Sequence, residues 1–69
     1  GAIERVRKHV DDLLSYYGPM EVKKLAKYLA KYEVVVQLLG PKTLEEPSLL
    51  ASVLAKLGYK VEDGVVKKP

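Results

Sequence analysis

PSLLASVLAKLGYKVEDGVVKK, residues 47 to 68, is the stretch whose reading decides the fold. Leu49, Leu50, Val53, Leu54 and Leu57 recur at helical spacing, and Gly58 stands where a C-cap would stop that helix. Tyr59-Lys60-Val61-Glu62 and Val65-Val66-Lys67-Lys68 then flank Asp63-Gly64, a dipeptide that favours a two-residue type I′ turn, so this segment reads as a hairpin. The implied register pairs Glu62 with Val65, Val61 with Val66, Lys60 with Lys67 and Tyr59 with Lys68. Tyr59, Val61 and Val66 would face the core, leaving Lys60 opposite Lys67 outside. Directly opposed like charges destabilise a strand pair, so this arrangement makes most sense facing an anion. The other side of the preceding helix, Ser48, Ala51, Ser52, Ala55 and Lys56, is small, smooth and almost uncharged.

Upstream, Thr43-Leu44-Glu45-Glu46 reads as a capping box, and Pro47 fits in that helix's first turn or at N1 with Glu46 as cap. Gly40-Pro41 breaks whatever precedes it. Glu33 to Leu39 admits two readings: Val34, Val35 and Val36 favour a strand, while Val36 and Leu39 extend the helical stripe of Leu29 and Tyr32. A second helix is predicted from Met20 or Glu21, with Val22, Leu25, Ala26 and Leu29 buried. Lys23, Lys27 and Lys31 recur every four residues on another face, with Lys24 and Tyr28 in a neighbouring row. Such a lysine stripe is favourable when something anionic covers it. Tyr28 and Tyr32 beside it are either amphipathic edges of the core or surfaces on which a base can stack. The first helix carries Ile3, Val6, Val10, Leu13, Leu14 and Tyr17 on one stripe and ends at Gly18-Pro19. His9 falls beside that stripe, as a boundary histidine.

The 69 residues, 48% hydrophobic and 30% charged, form one domain spanning 1–69. Without cysteine there are no disulfides, thiolate metal sites or thiol nucleophile, and His9 alone makes no zinc site. The carboxylate pairs Asp11/Asp12, Glu45/Glu46 and Glu62/Asp63 each have a structural duty, and no phosphate loop or nucleophile–base pair occurs. The expectation is therefore no enzyme, no cofactor and no small-molecule substrate. The net charge of +3 is concentrated in residues 20 to 32 and at 64 to 69, offset by an acidic stretch between, which suits a polyanion. No apolar run is long enough to span a bilayer and no signal-peptide core is present, so the expected compartment is cytoplasmic. Gly1-Ala2 resembles a cloning remnant, on a domain cut from a longer protein or a short protein with its start replaced. Asn is absent while Lys and Glu are plentiful, which points to a thermophilic source.

The order of helix, short Pro-Met-Glu connection, basic helix, later helix ending Leu57-Gly58-Tyr59 and Asp-Gly hairpin resembles a winged-helix domain, most specifically over residues 47 to 68. The resemblance implies a mostly helical α+β fold, a winged helix-turn-helix. It would have three main helices, an additional helix or strand around 33–40, and a C-terminal β-hairpin wing. It also implies duplex DNA as partner. Ser48, Ser52 and Lys56 would face the groove, with Lys60, Lys67 and Lys68 on phosphate. Two departures stand out. The gap between the second and third helices, usually a short turn, holds about fifteen residues, and the recognition face lacks the Arg, Asn and Gln that read base edges. Backbone binding of low specificity is thus the expected mode, with Lys23, Lys24, Lys27 and Lys31 joining the wing. A competing alignment places the helix-turn-helix on LAKYLAKYEVVVQLL, residues 25 to 39. Its turn would lie at Ala30 to Tyr32, with Ala26, Leu29, Val36 and Leu39 buried. The alternative function is protein–protein interaction within a larger replication, transcription or other assembly, through the Ala51, Ser52, Ala55 face or an exposed Val34 to Leu39 stretch.

Overall fold

The structure is a computed structural model describing residues 1–69. Its elements run α1 (Ala2–Tyr17), β1 (Met20–Glu21), α2 (Val22–Leu29), α3 (Glu33–Leu39), α4 (Pro41–Glu45), α5 (Pro47–Lys56), β2 (Lys60–Glu62) and β3 (Val65–Lys67). This is a mostly helical α+β fold, with five helices and one three-stranded antiparallel sheet in the order β1-β3-β2. Its C-terminal hairpin is compatible with a wing.

The α1 stripe buries Val6, Val10, Leu13 and Leu14. Ile3 and Tyr17, at its two ends, stay largely exposed. Gly18 (φ 79°) closes the helix. The second helix starts later than expected, at Val22, because Met20 and Glu21 are drawn into the sheet as β1. Met20 pairs with Val66 and Glu21 with Val65, and the Val22 N–H donates to the Gly64 carbonyl at 2.8 Å. From Val22 onward the predicted stripe holds, with Val22, Leu25, Ala26 and Leu29 all buried.

Residues 33 to 39 are helical, so the valine run does not form a strand. Ala30 to Tyr32 make the turn between α2 and α3, where the second alignment placed it. The residue that α3 seals into the core is Val35, while Val36 and Leu39 are half-buried. The capping box is corrected too. Pro41, after Gly40 (φ 88°), opens a short helix of its own that contains Thr43. Thr43 therefore cannot cap α5. Glu46, in extended conformation (φ −114°, ψ 104°), occupies the N-cap of α5 with Pro47 in the first turn. The long inter-helix gap is thus filled by two short helices, α3 packed on α1 and α4 packed on α5.

At the other end of α5 the Tyr59 N–H donates to the Leu54 carbonyl and the Gly58 N–H to that of Ala55, both at 3.0 Å. This is a Schellman motif, with Gly58 (φ 101°) in the left-handed conformation it requires. Asp63 (φ 52°) and Gly64 (φ 73°) both have positive φ, as a type I′ turn demands. The hairpin has the expected register from Lys60–Lys67 to Glu62–Val65. The ladder stops there and does not extend to Tyr59–Lys68. Leu25, Leu29, Leu50, Leu54, Val10, Val35 and Val66 form the sealed centre, where α2 meets α5 and the sheet lies against α5. Leu49, expected in this core, is exposed on α5.

Candidate functional site

The apolar stripe of α2 fixes which of its residues face outward. With Leu25, Ala26 and Leu29 inside, Lys23, Lys24, Lys27 and Lys31 are all exposed, and together with Glu21 and Tyr28 they line one open groove. The ion pairs of the molecule lie elsewhere, between the terminal ammonium and Glu4 at 2.9 Å and between Lys8 and Asp12 at 3.3 Å. The N-terminal charge holds the Glu4 carboxyl below its usual range. None of the four lysines has a carboxylate within salt-bridge reach. Lys23 and Lys27 also border a second depression with Ala26, Ala30, Leu44, Glu45 and Pro47. The basic face therefore continues to the start of α5.

The hairpin lysines share their face of the sheet with carboxylates. On the outer face of the sheet Lys60 stands opposite Lys67, and one row further along Glu62, Val65 and Glu21 stand side by side. Two lysines and two glutamates share that face, so the opposed lysines have negative charges in the neighbouring row. Lys68 donates to the Ser15 hydroxyl of α1. Because Val22 is bonded to Gly64, the hairpin is held by β1 up to its tip and does not project as a free loop. Its tip residues Asp63 and Gly64 instead border Glu21, Lys23 and Pro47.

On α5, Ser48, Ser52 and Lys56 are exposed as expected, while Ala51 is half-buried. Only the start of this helix adjoins the α2 lysines. Lys56 lies nine residues beyond Pro47, about 13 Å further along the axis at 1.5 Å per residue. The structure thus brings Lys23, Lys24, Lys27 and Lys31 together in one groove, whose lining does not include Lys56, Lys60, Lys67 or Lys68.

An aromatic surface that the sequence reading did not assemble adjoins this groove. The Tyr16 ring is edge-on to Tyr17 at 4.7 Å between centroids, and Tyr17 is tilted against Tyr28 at 5.1 Å. The Lys31 ammonium sits 5.2 Å from the Tyr28 centroid. His9 is half-buried and stacked on Tyr32 at 4.1 Å, the boundary position expected of it. The neighbouring Tyr28 hydroxyl raises the Tyr17 phenol above its ordinary pKa. One signal was present in the sequence: of two adjacent tyrosines on a helix only one can follow the buried stripe, so the other must project.

A separate groove between α1, α3 and α5 is entirely apolar, lined by Ala2, Ile3, Val6, Leu38, Leu39, Val53 and Leu57. No helix is long and apolar enough to cross a membrane. No protein-family model matches the chain, and no curated protein and no solved structure matches it.

Proposed function

We propose that the chain is a winged-helix module that binds nucleic acid with low sequence specificity, gripping phosphates through the α2 lysines. The observation that carries this is the groove of Lys23, Lys24, Lys27 and Lys31, four cations on one surface without a carboxylate partner. Mutual repulsion makes such a cluster unfavourable in isolation, and a polyanion relieves it. The winged-helix part of the reading is supported by α5 running directly into a hairpin. It is also supported by a first strand, β1, that completes the sheet from between α1 and α2. The two-helix insertion at 33–45 and the near-neutral outer face of the hairpin shift the contact surface from the wing to α2.

Phosphate contacts of this kind release counterions. Affinity for a mixed-sequence oligonucleotide should therefore fall steeply between about 50 and 200 mM salt, with a log–log slope of about −3 to −4 for four contacts. Lys23→Glu with Lys27→Glu should abolish binding without unfolding the domain, since both side chains are exposed. Salt-independent affinity, or full binding by the double variant, would refute this reading. The second reading, a protein-interaction domain, is favoured by the apolar groove lined by Ile3, Leu38 and Leu57. Chemical shifts perturbed by a protein partner at those residues, with none at α2 on adding nucleic acid, would support it instead.

A further inference from the structure

We infer that the Tyr16–Tyr17–Tyr28 surface stacks the bases of single-stranded nucleic acid whose phosphates follow Lys24, Lys27 and Lys31. The inference rests on the nucleic-acid reading above and specifies which form of the polymer fills the site. Tyr16 is 81% exposed and Tyr17 46%, so large aromatic faces are held in water, where burial would normally be favoured. They are held in order: Tyr17 leans on Tyr16 and on Tyr28, and Tyr28 is at once a wall of the lysine groove and the ring beneath the Lys31 ammonium. Aromatic faces beside a basic groove are the two elements by which single strands are held, the rings taking bases and the cations the backbone.

Duplex DNA would use only half of this site. Its base faces are already stacked within the helix, so a duplex can satisfy the lysines but offers nothing to the tyrosines. An unpaired strand offers both. Carboxylates border this path. Asp12, one turn before Tyr16 on α1, is paired with Lys8, Glu21 lines the groove at the end of α2 away from Lys31, and Glu45 shares the neighbouring depression with Lys27. None lies within salt-bridge reach of Lys24, Lys27 or Lys31. The His9–Tyr32 stack lies seven residues before Tyr16 on the same side of α1, about 10 Å along the axis. It would extend the aromatic surface for a longer strand.

The test compares a single-stranded DNA of mixed sequence with the duplex of the same length, by fluorescence anisotropy at about 50 mM salt. The proteins are the wild type, Tyr16→Ala with Tyr17→Ala, Tyr16→Ser alone, and Lys24→Glu with Lys27→Glu, each checked for helix content by circular dichroism. The single strand should bind several-fold tighter than the duplex. Loss of the two tyrosines should weaken single-strand binding about tenfold or more and leave duplex binding unchanged. Tyr16→Ser, at the most exposed position, should show a smaller loss in the same direction. The lysine variant should lose both ligands. Unchanged single-strand affinity in both tyrosine variants, or tighter binding of duplex, overturns the stacking surface while leaving the phosphate-binding reading intact. Absence of binding to either polymer by the wild type overturns both.

Discussion

Tyr59 shows how one side chain ties distant parts of this chain together. Its ring is buried beside the Schellman turn, and its hydroxyl donates to Asp11 Oδ1 at 2.6 Å, joining the end of α5 to the middle of α1. Burial first, and the Asp11 carboxylate second, raise the phenol well above its ordinary pKa. A neutral phenol is thus favoured by the folded state more than by the unfolded one. The stabilisation is complete below the unfolded value of about 10 and is lost as pH rises beyond it. Tyr59→Phe should therefore cost about 1 kcal/mol at pH 7, where Asp11 loses its donor. Urea denaturation from pH 7 to 11 should then show the gap between wild type and variant closing above about pH 10. The sequence placed Tyr59 in the core through strand alternation. Its partner was not legible, because Asp11 reads as one of several solvent-facing acids until Tyr59, just past the end of α5, is brought against α1.

Among the elements, the hairpin was the most legible and β1 the least. Asp63-Gly64 specifies its turn by local chemistry alone, and alternation about it sets the register. Met20 and Glu21 form too short a strand to show any periodicity, and their partner β3 lies far along the chain, so they read as the start of a helix. The missing strand also hid the charge balance of the sheet, since Glu21 reaches the outer face only through β1. Thr43 misled for a related reason: its capping pattern is genuine locally, but Gly40-Pro41 had already started a helix through it. Residues 33 to 39 carry conflicting propensity and periodicity, and the packing of α3 on α1 and α4, with Val35 buried, decides the outcome. The remaining like-charge pair is open to test. Lys67→Glu, opposite Lys60, should stabilise the domain by about 0.5 kcal/mol in thermal unfolding at low salt. On the proposed reading it should leave affinity for nucleic acid nearly unchanged, because the proposed phosphate surface lies on α2.

For the molecule as a whole, size sets the terms. A chain this short has a net stability of only a few kcal/mol, held by a small set of fully enclosed aliphatic side chains. Leu50, with no exposed surface, packs at the centre, and Leu50→Ala removes about 2 to 5 kcal/mol, comparable with the total. That variant should lose its sharp unfolding transition at 25 °C, which differential scanning calorimetry would show directly. The candidate site was half legible at this scale. The lysine groove follows from a four-residue spacing on a single helix, which sequence displays openly. The tyrosine surface requires α1 and α2 to lie side by side, and the positions 16, 17 and 28 announce no such neighbourhood.

The place of β3 between its two partners bears on how the domain assembles. Its contact with β2 closes a two-residue turn, whereas its contact with β1 joins Met20 to Val66. Closing a loop of about 45 residues costs about 3 kcal/mol of chain entropy before any contact compensates. The hairpin and its seam with α5 should therefore form early, and β1 should dock on the far edge after the rate-limiting step. Stopped-flow chevrons should place Met20→Ala almost wholly on the unfolding limb, with the refolding rate barely changed. The sheet edge that secures the hairpin tip is then the first to loosen, so amide exchange at Val22 should report partial opening well before the core gives way.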